Sequence, residues 1–235
     1  MNILVVGGSG GIGAALAEAL GKRPEVSKVI ATYHRHPPER ELAGVVWQHM
    51  DVTQPESAGE RWPSDTPLDL MIYAAGVLHD GAHQPEKTIR RFDPDLFRLS
   101  MEVNVLPVLA LAQALHPAFK LSAAPRLVAI SARVGSIGEN RKGGWYSYRC
   151  SKAALNMAIR TLGVEWRMAL PRGAVAALHP GTTDTGLSRP FQANVPEGKL
   201  FSTRQTADYL LAVIDQLSAE NSGEFWSWDG SLLPW

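Results

Sequence analysis

The sequence has little cysteine and no excess of charge of either sign. Its single cysteine, Cys150, excludes an intrachain disulfide framework and a zinc site built from several cysteines. The 23 Lys and Arg balance 23 Asp and Glu, whereas nucleic-acid binders usually carry a basic excess or a basic stripe. The seven histidines are scattered along the sequence. We therefore expect no nucleic-acid partner and no metal site.

Long apolar runs are also absent. No segment approaches the roughly 18 residues that a membrane-spanning helix needs. A strand-like run at residues 3–6 follows Met1 and Asn2 directly, so we expect no signal or transit peptide. We expect no membrane association and a cytoplasmic location. The 235 residues and their ordinary composition indicate a single domain over 1–235.

Short apolar runs alternate with longer helical patterns. The predicted strands, mostly continuous runs of Val, Ile and Leu, are residues 2–6, 28–33, 45–49, 68–73, 126–131, 174–179 and 224–228. The predicted helices are residues 12–21, 54–62 (with Thr53 and Glu56 as a capping box), 94–119 (with a break near Pro107), 147–169 and 203–218. Continuous apolar strands alternating with helices predict an α/β fold, a doubly wound parallel sheet (Rossmann fold) of about seven strands with helices on both faces.

A glycine-rich turn lies between the first predicted strand and the first predicted helix. Glycines permit a tight turn and let backbone N–H groups approach a pyrophosphate, which the helix N-terminus also attracts. A merely flexible turn is the alternative, but the order strand, glycines, helix favours dinucleotide binding. The residues predicted to bind are Gly7, Ser9, Gly10, Gly11, Ile12 and Gly13.

The end of the second predicted strand bears on the choice of dinucleotide. NAD-binding units usually place an acid there for the ribose 2′-hydroxyl, whereas a basic residue accommodates the 2′-phosphate of NADP. Here His34 and Arg35 follow the strand, and no acid appears before Glu39. This pattern favours NADP over NAD, with Arg35 as the main contact and His34 as a helper. The alternative is that Arg35 is a solvated loop residue.

Tyr148 and Lys152 are four residues apart in a predicted helix, so they share one face. A phenol has a pKa near 10, which makes it a poor acid–base group at neutral pH. A nearby ammonium group favours the phenolate and is expected to lower that pKa. The pair is therefore a candidate proton donor for a carbonyl oxygen.

Taken in order, these motifs resemble the short-chain dehydrogenase/reductase family in its compact single-domain form. The matching pieces are Gly7-x-x-x-Gly11-x-Gly13, Asp51-Val52, Ala74-Ala75-Gly76, Asn104, Ser131, Tyr148-x-x-x-Lys152 and Pro180-Gly181-x-x-x-Thr185. The segments 143–156, 179–185 and 233–235 resemble the C-factor-like branch, which is related to sniffer-type carbonyl reductases.

The resemblance implies a role for each matching residue. Asp51 would bond the adenine amino group and Val52 would flank its ring. Lys152 would bond the nicotinamide ribose, and Asn104 would hold a water of a proton relay behind it. The remaining cofactor contacts implied are Ala75 and Gly76 beside the ribose, and Pro180, Gly181, Thr182, Thr183 and Thr185 around the nicotinamide.

Two positions depart from the family pattern. Tyr73-Ala74-Ala75-Gly76 stands where the family often has Asn-Asn-Ala-Gly, which suggests a different local hydrogen-bond arrangement. Ala132 stands where the family commonly has a serine that polarises the substrate carbonyl. Ser131, Ser136 or no serine could then polarise it. We favour Ser131 because it directly follows the apolar run 127–130 at the end of a predicted strand, at the ligand-binding edge of such sheets.

The resemblance implies an NADP-dependent oxidoreductase that transfers hydride between nicotinamide and a small carbonyl or alcohol substrate. Tyr148 would be the proton donor or acceptor. A dinucleotide-binding regulatory or signalling protein with weak turnover is the alternative. A nucleotide-sugar epimerase is disfavoured by the short chain and by the glycine spacing. Residues 186–202 are predicted to form an apolar lid. A homodimer or homotetramer is expected through the helices at about 105–118 and 147–168.

Overall fold

The computed structural model describes residues 1–39, 41–54, 62–63 and 65–235. The strands are β1 Asn2–Val6, β2 Lys28–Tyr33, β3 Val45–His49, β4 Leu70–Tyr73, β5 Arg126–Ile130, β6 Ala174–His179, β7 Thr182–Thr183, β8 Leu200–Phe201 and β9 Glu224–Ser227. The helices are α1 Gly11–Gly21, α2 Pro94–Asn104, α3 Leu106–Ala114, α4 His116–Leu121, α5 Tyr146–Ala169 and α6 Thr203–Asp215. Short 3₁₀ turns cover Ile89–Arg91, Arg133–Gly135, Arg189–Asn194 and Ala219–Asn221.

Seven strands form one sheet in the order β3-β2-β1-β4-β5-β6-β9, and every neighbouring pair is parallel. Ile3 of β1 pairs with Val29 of β2 on one side and with Leu70 of β4 on the other. The direction of winding reverses between β1 and β4, and open α/β sheets bind ligands at such a point, beyond the carboxyl ends of the strands. The predicted doubly wound sheet is confirmed.

Each face of the sheet carries its own apolar core. Ile3 and Val5 point to the face that α1 and α6 cover, and Leu4 and Val6 point to the face that α3 and α5 cover. Side chains alternate between the faces of a strand, so both sets are apolar only when both faces are covered. This is why the strands are continuous apolar runs in the sequence.

The predicted helix over 94–119 is three helices. Pro107 and Pro117 have no backbone N–H, and each lies in the first turn of a new helix. The predicted last helix ends at Asp215 instead of residue 218, and a separate turn at Ala219–Asn221 follows. The predicted helix over 54–62, with Glu56 of its capping box, lies outside the described residues except at its two ends.

The predicted lid segment, residues 186–202, contains local structure. Its last residues include β8, which pairs in parallel with β7, and its middle is the 3₁₀ turn Arg189–Asn194. Phe201 is buried against Trp228 and Tyr209, so this end of the segment packs on the body of the protein. Within the described residues, no helix has the length and apolarity needed to cross a bilayer.

Candidate active site

A cleft of about 810 Å³ opens beyond the carboxyl ends of the central strands, where the winding reverses. Its walls come from the glycine turn, the ends of β2 to β6, the start of α5 and the lid segment. The predicted site residues that line it are Gly7, Ser9, Gly10, Gly11, Ile12, His34, Asp51, Val52, Ala75, Gly76, Ser131, Tyr148, Lys152, Pro180, Gly181, Thr182, Thr183 and Thr185. Gly13, Arg35 and Asn104 are not among its lining residues.

The glycine turn is built so that its backbone comes close to other chain segments. Gly7 has φ +77°, and a Cβ on it would lie 2.6 Å from the Ala75 nitrogen. A Cβ on Gly13 would lie 2.2 Å from the Gly7 carbonyl oxygen, so Gly13 supports the turn from behind. Helix α1 starts after Gly10 without a side-chain cap, which leaves its first N–H groups to a ligand.

The predicted adenosine end of the cleft contains His34 and Asp51. Asp51 accepts hydrogen bonds from the N–H of Thr53 at 2.9 Å and from its hydroxyl at 2.7 Å, and these bonds lower the pKa of Asp51. His34 Nε2 lies 3.8 Å from the other Asp51 oxygen. Arg35 is exposed beside them. The Thr53 side chain, predicted to cap a helix, therefore orients Asp51.

Tyr148 and Lys152 lie one turn apart in α5, as predicted, and both line the cleft. Lys152 Nζ donates to the Ile130 carbonyl at 2.8 Å and lies 5.8 Å from the centre of the Tyr148 ring. Burial lowers the pKa of Lys152 to about 8 and raises the pKa of Tyr148 above its ordinary value. The expected lowering of the Tyr148 pKa is wrong for this structure, because burial penalises the phenolate.

Asn104 lies behind this pair, at the break between α2 and α3. Its side chain is fully buried, with Oδ1 accepting from the Val77 N–H at 2.9 Å and Nδ2 donating to the Ser151 hydroxyl at 2.9 Å. The Val108 N–H donates to the Val105 carbonyl and so does not close a regular helical bond to Asn104. The water of the predicted proton relay would therefore bind the main-chain carbonyl of Asn104, since the side-chain amide of Asn104 already has partners.

Gly76 lies next to Asn104 and Lys152. A Cβ at this position would be 3.3 Å from Asn104 Oδ1 and 3.7 Å from Lys152 Nζ. A side chain here would fill the space between the relay residues and the cleft. The close approach of the Gly76 backbone to the cofactor ribose stays a prediction.

The two candidate serines have different surroundings. Ser131 lines the cleft, but it is only 2% exposed and its hydroxyl donates to Asn156 Oδ1 at 2.6 Å. Ser136 does not line the cleft, and its hydroxyl donates to the Trp235 main-chain oxygen at 3.3 Å. Ala132 also lines the cleft. Of the two hydroxyls, only that of Ser131 is close to the cleft.

At the predicted nicotinamide end, residues 180–185 form one wall. Gly181 has φ +73°, and a Cβ there would lie 2.6 Å from the Phe201 ring. The Thr183 hydroxyl shares a 2.8 Å hydrogen bond with that of Thr206, a buried residue of α6. These contacts hold the wall against α6 and the end of the lid segment. Among the described residues, no group of three or more His, Cys, Asp or Glu is placed to hold a metal ion.

Comparison with known proteins identifies the family. The family model described as short chain dehydrogenase matches residues 1–196. The chain belongs to the short-chain dehydrogenase family. It is therefore an oxidoreductase, and the resemblance found in its motifs is confirmed.

Particular short-chain dehydrogenases are similar over the whole chain. A 1-hydroxy-2-glutathionyl-2-methyl-3-butene dehydrogenase of Rhodococcus sp. strain AD45 is 33% identical over 241 residues, covering 100% of this chain and 99% of that protein. The C-signal of Myxococcus xanthus is 37% identical over 134 residues, covering 57% of this chain and 75% of that protein. The NADPH-bound carbonyl reductase from chicken fatty liver superposes with a TM-score of 0.83 at 27% identity, covering 100% of this chain and 98% of that one.

The sequence motifs did not indicate the aromatic wall that faces Tyr148 in this short-chain dehydrogenase. Trp145 has a left-handed backbone (φ 53°), and its ring centre lies 4.9 Å from that of Phe191 and 6.3 Å from that of Tyr148. The Phe191 ring in turn meets His79 at 5.8 Å. Phe191, Leu187 and Val195 of the lid segment line the cleft, so part of this segment does cover it. The apolar residues of the predicted lid segment were the sequence feature that could have indicated this wall.

Glu86 was also missed. It is buried beneath the start of α5, where it accepts from the Ser147 N–H at 3.2 Å and from the Ser147 hydroxyl. Its main-chain carbonyl accepts the Trp145 N–H at 2.5 Å. A carboxylate at a helix N-terminus is stabilised by the helix dipole, so Glu86 fixes the turn that presents Tyr148. No local pattern around Glu86 predicts this contact, which spans 61 residues.

Proposed function

We propose that this short-chain dehydrogenase is an NADPH-dependent carbonyl reductase, with oxidation of the alcohol as the reverse reaction. The observation that carries the proposal is that Tyr148 and Lys152 share one cleft with the glycine turn and with residues 180–185. A Cβ at Gly7 or Gly13 would clash with the backbone of the turn and its neighbours, so these positions require glycine. The first N–H groups of α1 have no side-chain cap. These features fit a dinucleotide that spans the cleft.

When bound, the nicotinamide would supply the hydride for the carbonyl carbon. Tyr148 would donate its hydroxyl proton to the carbonyl oxygen, because a phenol with a raised pKa stays protonated at neutral pH. Lys152 would hold the ribose and would pass a proton to Tyr148 through its ammonium group. The proton relay behind Lys152 would continue to a water bound at the main-chain carbonyl of Asn104. Trp145 and Phe191 would exclude bulk water from the reacting carbonyl.

NADP is the proposed cofactor in preference to NAD. His34 lines the cleft, Arg35 follows it, and no acid occurs before Glu39. A basic pair there would attract the 2′-phosphate, whereas an acid would repel it. The chicken carbonyl reductase, which is bound to NADPH, supports the same choice. Asp51 and Val52 would hold the adenine.

Ser131 is the proposed donor to the carbonyl oxygen. To act, its hydroxyl must turn from Asn156 towards the cleft. If it stays bonded to Asn156, Tyr148 would hold the oxygen alone. This second arrangement, together with the similarity to the C-signal, favours the alternative function, a dinucleotide-binding signalling protein with weak turnover.

One experiment separates the two functions. The purified protein would be incubated with NADPH or NADH and a panel of aldehydes, ketones and quinones, and the oxidation of the nicotinamide followed by absorbance. The corresponding alcohols would be tested with the oxidised cofactors. We expect saturable turnover with NADPH that Tyr148→Phe abolishes. Tight NADPH binding by fluorescence with no turnover of any substrate would contradict the enzyme proposal and favour the signalling one.

We also propose that the protein is a homodimer or homotetramer through α3 and α5. Met157, Val164 and Met168 form an exposed apolar stripe along α5, with Met168 89% exposed. Leu106 and Leu109 expose an apolar patch on α3. Exposed apolar patches of this kind mark interfaces between proteins. Light scattering after gel filtration should show an oligomer, and Met157→Glu should dissociate it. A monomeric wild-type protein would contradict this proposal.

A further inference from the structure

A second cavity, of about 380 Å³, lies beside the cleft at the carboxyl ends of β5, β6 and β9. Arg133 and His179 line both the cavity and the cleft, so the two are neighbours. The other residues around the cavity are Glu139, Lys199, Ser227, Trp228, Asp229, Ser231, Leu232, Leu233 and Pro234. Lys199 belongs to the predicted lid segment, and the sequence assigned no cofactor or catalytic role to any of the others. None of them is needed for the cofactor contacts described above.

The two carboxylates of the cavity already have partners. Glu139 accepts two hydrogen bonds of 2.6 Å from the guanidinium of Arg133, and these bonds lower the pKa of Glu139. Asp229 accepts from the Ser231 hydroxyl at 2.6 Å and from its N–H at 3.2 Å, and these bonds lower the pKa of Asp229. Both acids are therefore ionised. Glu139 is neutralised by Arg133, whereas Asp229 is held by hydrogen bonds alone and keeps its negative charge.

His179 offers a free donor. Its Nδ1 accepts the backbone N–H of Arg133 at 3.3 Å, and a backbone N–H can only donate. The ring must then carry its proton on Nε2. Burial and the charge of Arg133 lower the pKa of His179 to about 4, so the ring is neutral at pH 7. Nε2–H has no protein acceptor among the described residues.

Lys199 offers a free cation. Its Nζ lies 5.9 Å from the centre of the Trp228 ring, which holds the ammonium group at the cavity wall. Within the part of the chain that the structure describes, no carboxylate lies within ion-pair distance of it. Lys199 belongs to the lid segment, so the same segment borders both the cleft and the cavity.

From the free donors of His179 and Lys199, we propose that the cavity binds a carboxylate at the far end of an extended carbonyl substrate. The carbonyl group reacts beside Tyr148, and the carboxylate is held by Lys199 and His179. The inference rests on the proposed reductase function and adds the class of its substrate: an aldehyde or ketone with a carboxylate on a spacer.

The test compares substrates whose far end group is either a charged carboxylate or its neutral methyl ester. A series of ω-oxo carboxylic acids of increasing chain length and their methyl esters would be reduced at saturating NADPH. At the spacer length that bridges cleft and cavity, we expect kcat/KM of the acid to exceed that of its ester about tenfold, as a charge-assisted hydrogen bond supplies. Added salt should reduce that ratio. Esters reduced as well as acids at every length would overturn the proposal.

A single substitution tests whether Lys199 is responsible for the preference for the acid over its ester. Lys199→Met removes the charge and keeps the aliphatic stem, and it should lower the acid-to-ester ratio of kcat/KM about tenfold through a higher KM for the acid. Lys120→Met, on the outer side of α4, is the matched control and should keep the wild-type ratio. An unchanged ratio in Lys199→Met would overturn the proposal.

A binding measurement separates this inference from the reductase function. The ω-hydroxy acid product and its methyl ester would be titrated into the protein–NADPH complex by calorimetry, because an alcohol and the reduced cofactor cannot react with each other. Tighter binding of the acid, lost in Lys199→Met, would support the carboxylate site even if no carbonyl compound were reduced. Equal binding of acid and ester would overturn the site while leaving the reductase function standing.

Discussion

The hydroxyl of Tyr73 donates to the main-chain carbonyl of Val103 at 2.5 Å. In a continuous helix this carbonyl would accept the N–H of residue 107, but residue 107 is a proline and has none. Tyr73 thus satisfies a carbonyl that the break between α2 and α3 would otherwise leave unpaired. The same contact ties the end of β4 to the residue before Asn104. The tyrosine that replaces the family's asparagine therefore stabilises the break.

Tyr73→Phe should lower the free energy of unfolding by about 1–2 kcal/mol, because it leaves the Val103 carbonyl without its buried donor. Urea denaturation would measure the change. The control is Tyr33→Phe, at the partly exposed end of β2, which should have little effect. Equal stability of Tyr73→Phe and wild type would show that the Val103 carbonyl finds another donor.

Tyr148→Phe should lower the rate of carbonyl reduction about a hundredfold or more, because it removes the proton donor and keeps the ring. NADPH affinity, measured by fluorescence titration, should stay close to that of the wild type. Tyr146→Phe is the matched control, since Tyr146 begins the same helix but does not line the cleft. A Tyr148→Phe enzyme with near-normal turnover would refute the mechanism.

The serine hydroxyl that polarises the substrate carbonyl can be identified by removing the candidate hydroxyls one at a time and by adding a new one at position 132. Ser131→Ala should lower kcat about a hundredfold if this serine polarises the carbonyl, since a donor to developing charge is worth about that much. Ser136→Ala, whose hydroxyl bonds Trp235, should leave kcat nearly unchanged.

Ala132→Ser restores a hydroxyl at the position where the family commonly has one, and Ala132 lines the cleft. We expect it to rescue the Ser131→Ala enzyme at least in part. Normal kcat in Ser131→Ala would instead assign the oxygen to Tyr148 alone, and the comparison of steady-state rates for the three variants decides between these outcomes.

Arg35→Ala should raise the Kd of NADPH and spare that of NADH, because only NADPH carries the 2′-phosphate. His34→Ala should act in the same direction, since His34 lines the cleft beside Asp51. Arg98→Ala, on the exposed face of α2, controls for a general loss of positive charge. Equal weakening of both dinucleotides by Arg35→Ala would remove Arg35 from 2′-phosphate recognition, and a wild-type preference for NADH would overturn the proposed cofactor.

The stability of the protein should fall as the pH drops from 6.5 to 4, in part because of His179. Burial, with the charge of Arg133, lowers the pKa of His179 from 6.5 to about 4 in the folded protein. Between these values the unfolded chain binds a proton that the folded protein does not, so acid favours unfolding. Above pH 6.5 and below pH 4 this contribution is constant.

The size of the effect follows from the shift of the His179 pKa, which corresponds to about 3 kcal/mol at most. In His179→Asn the side-chain oxygen can still accept the Arg133 N–H, and no group titrates there. Chemical denaturation at pH 7 and pH 4.5 should therefore show a smaller loss of stability for His179→Asn than for the wild type. The exposed His36→Asn variant serves as the control. Identical pH dependence of His179→Asn and the wild type would contradict the buried neutral ring.

Features of the fold that depend on neighbouring residues were predicted correctly from the sequence. Most of the seven strands of the sheet are continuous apolar runs, and the glycine turn and the Tyr148–Lys152 pair depend on spacings of a few residues. Local spacing sets which side chains share a helix face or a strand face, so these motifs indicated the fold and the family without any knowledge of distant contacts.

Contacts between distant segments were decided only by the tertiary structure. The Ser136 hydroxyl donates a hydrogen bond to the main-chain oxygen of Trp235, 99 residues away. The Glu86 carboxylate accepts the Ser147 N–H at the start of α5, 61 residues away. The raised pKa of Tyr148 also follows from its surroundings, since burial penalises the phenolate. Hydrogen-bond partners and burial arise from the packing of whole elements, and no short pattern encodes them. The residue types and their order therefore determined the chemistry available in the cleft. The packing of the sheet against its helices decided which hydroxyl, carboxylate and imidazole groups lie close enough to the cleft to take part in that chemistry.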